Sequence, residues 1–188
     1  MKIDGILDSN KEAFEIFCNE LLKWREIHSL SGYKNSSQIK ENIIDSLYPL
    51  DFINPFKRAL DIGSGAGFPS IALAIARKDA EFILIEPNNK KFSFLQILKI
   101  KLNLKNLIIL KDRIENIGLE VIESKVDLIT SRALYKREKI IDLGRNLLRS
   151  DGYFLLFKGK NEAKIENEEN TKYIKRKNRI YIYQKNLG

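Results

Sequence analysis

The sequence predicts an α/β domain on a seven-stranded, mostly parallel sheet with an antiparallel last strand. Three observations carry that expectation. From residue 57 onward, short β-prone runs alternate with helical stretches, the pattern of βαβ units. Glycines stand at every second position, Gly63, Gly65 and Gly67, between the first of those runs and a helical stretch. Two strand-like runs then close the chain almost back to back, as in a hairpin. At 188 residues the chain can bury one good-sized core, and its 44% apolar content argues against disorder.

The N-terminal part reads as helix. Asp8, Ser9 and Asn10 offer N-caps, and Phe14, Phe17, Leu21, Trp24 and His28 recur every three or four residues. Trp24 and the phenylalanines are expected to cover one face of the sheet. His28 and Cys18 read as packing residues rather than reactive groups. Ser31-Gly32 ends this segment, and a second helix is expected over 38–47, before Pro49. Residues 1–50 thus form a helical extension packed on a core of 51–188, one domain overall. Strands are expected at 58–62, 81–86, 106–110, 125–131 and 152–157, with helices at 68–77, 90–102 and 137–149. Residues 161–170 read as a solvated helix or loop, and strands at 173–177 and 179–185 finish the sheet.

Composition excludes several classes. No apolar run approaches the ~20 residues of a membrane span. The N-terminal residues lack the apolar stretch of a signal peptide, so a soluble cytoplasmic protein is expected. One cysteine and one histidine exclude an internal disulfide and the familiar Cys/His zinc sites. With 33 Lys+Arg against 25 Asp+Glu the net charge is +8. Lys175, Arg176, Lys177 and Arg179, interleaved with Tyr173, Tyr181 and Tyr183, suit RNA, because phosphate contacts give sequence-independent affinity. Strand tyrosines usually face a core, so this signal favours nucleic acid only modestly.

Most functional information sits where Ala59-Leu60-Asp61-Ile62 runs into Gly63-Ser64-Gly65-Ala66-Gly67-Phe68-Pro69. Closely spaced glycines let backbone approach a ligand without Cβ obstruction, and ligands of open parallel sheets sit beyond the strands' carboxyl ends. A P-loop needs a lysine that this turn lacks. A dinucleotide fingerprint needs a glycine where Phe68 stands. Glu86 ends the next strand, placed to accept hydrogen bonds from ribose hydroxyls, which indicates a ribose more than a particular cofactor. Arg132, after the apolar run of the fourth strand, is placed to hold a phosphate or guanine O6. Lys158 holds the equivalent place after the fifth strand.

The alternating glycines resemble motif I of class I S-adenosylmethionine methyltransferases, a Rossmann-like fold. Asn/Asp-Pro-Pro-aromatic amine methyltransferases are disfavoured by Ser131-Arg132-Ala133 at the end of strand four. Cytosine C5 enzymes are disfavoured because Cys18 lies on the first helix. Several further segments match in order: Leu22-Lys23-Trp24, Asp45-Ser46-Leu47, Lys90-Lys91-Phe92-Ser93-Phe94-Leu95, Asp112-Arg113-Ile114-Glu115 and Lys158-Gly159. Together they resemble the bacterial 16S rRNA guanine-N7 methyltransferases of the glucose-inhibited division protein B type.

The resemblance implies an S-adenosylmethionine-dependent enzyme acting on a guanine N7 in the 530 loop of 16S rRNA (position 527 in the usual rRNA numbering). The substrate would be RNA in the 30S subunit or an assembly intermediate, and the enzyme a monomer needing neither membrane nor metal. It places Asp61, Gly63, Gly65, Gly67, Phe68, Glu86, Ile114, Glu115 and Arg132 at the cofactor, with Arg132 and Lys158 as the catalytic candidates. The chain departs from the family at Asn42, where a histidine is usual, at Ser29-Leu30-Ser31 in place of Asn-Leu-Thr, and at Ser70 in place of glycine. It is also short between Lys160 and Tyr173. Rival readings are a nicotinamide oxidoreductase, a non-catalytic RNA-binding protein and a methyltransferase acting on a protein or small molecule.

Overall fold

The computed structural model describes residues 3–28, 32–132, 134–159 and 169–186, with backbone alone at Ile27 and His28. The expectations placed on the His28 side chain, on Ser29, Leu30, Ser31 and Ala133, and on most of 161–170 lie outside these residues.

The N-terminal region holds one helix more than the periodicity suggests. Helix α1 (Ile3–Ser9) precedes α2 (Lys11–His28), and Asn10 stands between them, its Nδ2 donating to the Ile6 carbonyl at 2.9 Å. Phe14, Phe17 and Leu21 recur on one face of α2 and are buried. Helix α3 (Ser36–Leu47) starts two residues earlier than expected because Asn35 caps it, accepting from the Gln38 N–H at 3.0 Å.

Seven strands follow: β1 (Arg58–Ile62), β2 (Glu81–Ile85), β3 (Leu107–Leu110), β4 (Val126–Arg132), β5 (Leu148–Gly159), β6 (Thr171–Arg176) and β7 (Arg179–Lys185). Their order is β3-β2-β1-β4-β5-β7-β6, parallel from β3 to β5, with β7 antiparallel to both β5 and β6. The interleaved helices are α4 (Ser70–Ala76), α5 (Asn89–Lys101), the short α6 (Leu119–Ile122) and α7 (Arg137–Gly144).

Strand alternation splits the core in two. Ala59, Phe82, Leu84, Leu128, Leu155 and Phe157 pack with residues of α1 to α5. Leu60, Ile62, Ile83, Ile85, Ile129 and Leu156 pack with Ile122 of α6 and Ile140 of α7. Each such buried aliphatic or aromatic side chain contributes roughly 1.5–3 kcal/mol.

The boundaries of α7 and β5 depart furthest from expectation. Helix α7 ends at Gly144 instead of residue 149; Gly144 packs closely on the sheet, where a Cβ would lie 2.9 Å from Ile129 and 3.0 Å from Phe154. A 3-10 turn then leads into β5, which begins at buried Leu148, four residues early. The β4–β5 register shifts between Val126 and Leu128, opposite Gly152, where a Cβ would meet the Asp127 carbonyl at 2.9 Å. The hairpin between β6 and β7 turns on Lys177 and Asn178, with Lys177 at φ +50°.

Candidate cofactor site

The strand order reverses direction of growth between β1 and β4, the switch point where open α/β sheets bind ligands. Both segments leaving that point carry candidate residues. After β1, Gly63, Gly65 and Gly67 adopt φ +74°, +54° and +92°, left-handed values that side-chain-bearing residues resist. Gly67 also admits Ile71 and Phe17 against its α-carbon, since a Cβ would sit 2.7 Å from Ile71. The turn is locked by Gly63 and Ser64 N–H groups donating to the Ile85 carbonyl at 3.0 and 3.1 Å.

Glu86 joins the turn to the second strand. It is buried, its Oε2 accepts from the Gly65 N–H at 2.8 Å, and its Oε1 accepts from the Asn88 N–H at 2.9 Å. These charge-assisted bonds fix the carboxylate at the mouth of a cleft of about 320 Å³. The cleft is lined by Ile62, Gly63, Ile85, Glu86, Pro87, Lys91, Arg113, Ile114, Glu115, Leu134 and Tyr135. Lys139 closes its rim, with Nζ 4.0 Å from the Tyr135 ring centroid and 3.8 Å from Glu115 Oε1.

Of the sequence-derived candidates, Gly63, Glu86, Ile114 and Glu115 therefore meet around one cleft. Gly65 and Gly67 support its turn. Phe68 does not line it: the ring is buried 5.0 Å from Phe17 and 5.5 Å from Tyr33, with the Arg132 guanidinium 5.4 Å above it. Lys158 is buried at the end of β5, its Nζ donating to the Tyr135 carbonyl at 3.2 Å.

Asp61 lies deeper still, 1% exposed, on the same sheet face as Ala59. Burial pushes its carboxyl up to about 7 from 3.8. Ser64 and Ser70 pull it back, Glu86 adds to the rise, and the Arg132 charge opposes it. Neither serine is aligned for a hydrogen bond to the carboxylate. Ser64 Oγ donates to the Asp61 carbonyl at 3.2 Å, while Ser70 Oγ, Thr130 Oγ1 and both carboxylate oxygens have no partner among the described residues.

Arg132 is the last residue of β4 rather than the first beyond it. Its Nη2 donates to Asn42 Oδ1 of α3, and its Nη1 is buried without a partner among the described residues. Burial lowers its pKa. Periodicity missed Leu134 and Tyr135, although their place just after β4 is where strand-end logic looks. It missed Asn42 because nothing local links α3 to β4, 90 residues away.

The basic C-terminal run is largely committed inside the protein. Arg176 pairs with Glu41 at 2.7 Å and with Asp45 at 2.5 Å, and Arg179 lies 3.4 Å from Asp45. Tyr181 is fully buried and its hydroxyl donates to the Asp45 carbonyl at 3.0 Å. Lys172, Lys175 and Lys177 remain exposed, Lys177 bridged to Glu41 at 2.9 Å.

The residues present fit a nucleoside-bearing sulfonium amino acid. Ile62, Ile85 and Ile114 offer apolar walls for a base, the Glu86 carboxylate suits ribose hydroxyls, and glycines without Cβ let the ligand approach the backbone. Among the described residues there is no cluster of metal-binding side chains, and no helix is long and apolar enough to cross a membrane.

Comparison with known proteins agrees with this geometry. Residues 10–186 match the GidB family, described as rRNA small subunit methyltransferase G. A relative of that name from Helicobacter hepaticus is 47% identical over 175 residues, covering 91% of this chain and 92% of the relative. Another from Aliarcobacter butzleri is 42% identical over 183 residues, covering 96% and 92%. Among solved structures, a SAM-dependent methyltransferase from Aquifex aeolicus superimposes with a TM-score of 0.58 at 17% identity, over 81% of this chain and 98% of that one. At that identity the likeness concerns the fold. The chain belongs to the rRNA small subunit methyltransferase G family and is an S-adenosylmethionine-dependent methyltransferase.

Proposed function

We propose that this enzyme methylates N7 of a guanine in the 530 loop of 16S rRNA, by direct displacement and without an essential general base. The observation that carries this reading is the chemistry at the end of β4. That strand ends in Thr130-Ser131-Arg132, and the Ser131 hydroxyl is spent on the Ile62 carbonyl at 2.9 Å. Among its described residues the strand itself supplies a cation there and no carboxamide, carboxylate or thiol. Guanine N7 carries a free lone pair, so it needs alignment rather than deprotonation.

In this account Ile62, Ile85 and Ile114 hold the cofactor's adenine, with Glu115 beside it. Glu86 accepts from the ribose hydroxyls with the lone pairs left over from its two backbone bonds. Asp61, the turn Gly63-Gly65-Gly67 and Arg132 serve the amino-acid end, with Phe68 beneath Arg132. Arg132 and Lys158 position the guanine. The cofactor, when bound, supplies a sulfonium methyl open to in-line attack. Residues 1–50 act as a helical extension on the methyltransferase core of 51–188. The working form is a cytoplasmic monomer acting on the 30S subunit or an assembly intermediate.

Deleting the gene tests this reading in cells. The 530 loop of 16S rRNA should lose its N7-methylguanine and regain it from a plasmid copy. Retention of the modification in the deletion strain refutes it.

A further inference from the structure

Away from the cleft, a cluster of charged and polar side chains joins α3 to the C-terminal hairpin. Glu41, Asn42 and Asp45 fall on one face of α3, at helical spacing. Glu41 and Asp45 hold Arg176 and Arg179, and Asp45 also accepts from Tyr181, so the helix is anchored to β6 and β7. Asn42 sits between these anchors but faces the end of β4. Its Nδ2 donates to the Gln38 carbonyl at 2.7 Å, which orients the carboxamide, and its Oδ1 accepts from Arg132 Nη2. The Phe68 ring bounds the guanidinium on another side, 5.4 Å from Cζ.

Held in this way, Arg132 keeps one nitrogen, Nη1, buried and unpartnered among the described residues. A buried unpaired donor on a charged group is costly and calls for an explanation, of which an acceptor arriving during function is one. We infer that Asn42 is a positioning residue, whose carboxamide oxygen sets the Arg132 guanidinium so that Nη1 meets an oxygen acceptor of a reaction ligand. That acceptor is either the carboxylate of the cofactor or an oxygen of the RNA. The inference rests on the methyltransferase reading above. It adds a helical residue outside the cleft and makes anchoring of α3 part of the site's preorganisation.

Three measurements on full-length protein test it. Asn42→Leu, which keeps the branched heavy-atom skeleton and removes the acceptor, should lower kcat/KM for 30S methylation by about 10- to 100-fold. Its melting temperature should stay within about 4 °C of wild type. Asn42→Asp, which restores an acceptor oxygen, should recover activity to within about threefold. In an Arg132→Ala background the leucine substitution should cost nothing further, because both act through one guanidinium. A raised Kd for S-adenosylmethionine in Asn42→Leu assigns the acceptor to the cofactor. An unchanged Kd with a lower kcat/KM for 30S subunits assigns it to the RNA. A change below about threefold in both, or additive losses in the double variant, overturns the inference.

Nitrogen-15 arginine NMR reads the positioning without any reaction. The Arg132 Nη signals, identified by their loss in Arg132→Lys, should be separately resolved in wild type and should merge in Asn42→Leu. Signals unaffected by that substitution overturn the inference. This arm still decides the matter if wild-type protein fails to methylate 30S subunits, in which case the functional reading alone has failed.

Discussion

Replacing Asp61 with asparagine isolates the most unusual ionisable group in the protein. The carboxyl is 1% exposed, has no hydrogen-bond partner among the described residues, and is pushed up to about 7 from 3.8 by burial. A raised folded-state pKa means that the folded protein prefers the neutral acid. Its stabilising effect is therefore complete below 3.8 and is lost as pH climbs toward 7. Each pH unit in that window costs about 1.4 kcal/mol, so the whole rise amounts to about 4 kcal/mol as an upper bound. Between pH 4.5 and 7.5 wild type should lose about 3 kcal/mol relative to Asp61→Asn, or about 6–12 °C in melting temperature. Carboxylates with lowered pKa values, Asp79 and Glu41 among them, lose their stabilisation at lower pH and leave this window clear. Asparagine keeps the shape, and the idle hydroxyls of Ser70 and Thr130 can accept from its amide. The assay is urea unfolding of both proteins at half-unit pH steps, read as their difference. Parallel curves across the window would falsify the assignment of a raised pKa to Asp61.

Other perturbations reach different parts of the account. Gly63→Val requires φ +74° of a β-branched residue and drives its Cβ within 2.5 Å of Leu134. Binding of S-adenosylmethionine, followed calorimetrically, should then be undetectable, and unchanged affinity would remove the turn from the site. Glu86→Gln sets an amide against the Gly65 or Asn88 N–H and should weaken cofactor binding by about 10- to 100-fold. Asp45→Ala leaves Arg176 and Arg179 without their shared carboxylate, at side-chain exposures of only 17% and 19%. It should destabilise the protein by about 3–5 kcal/mol in denaturant titration; a loss below about 1 kcal/mol would mean these pairs behave like exposed ones.

Much of this structure was legible because strands β1 to β4 are short apolar runs closed by turn residues, and the glycines fall where a strand must turn into a helix. Strand-end position was enough to bring Gly63 and Glu86 to one cleft, whereas Ile114 entered only through the family resemblance. The end of α7 was not legible. Residues 145–149 carry helix-compatible side chains, and no local pattern shows that Gly144 packs against Ile129 and Phe154 or that a 3-10 turn and β5 follow it. The same holds for charge. Arg176 and Arg179 sit in a run that reads as an RNA surface, yet their partners Glu41 and Asp45 lie more than 130 residues away in the chain. Phe68 stood in the sequence as a residue at the cofactor, and the packing of its ring beneath Arg132 left no trace there. Pairings across such separations leave no periodic trace, so Asn42 drew notice only as a departure from a family pattern.

The most direct test of the central claim is transfer of a labelled methyl group from S-adenosylmethionine to 30S subunits purified from a strain lacking this gene. The label is then mapped by cleavage at N7-methylguanine. The account predicts one labelled guanine, in the 530 loop of 16S rRNA. Label at another nucleotide, or on another atom of that guanine, would contradict it, as would no transfer by protein that binds S-adenosylmethionine.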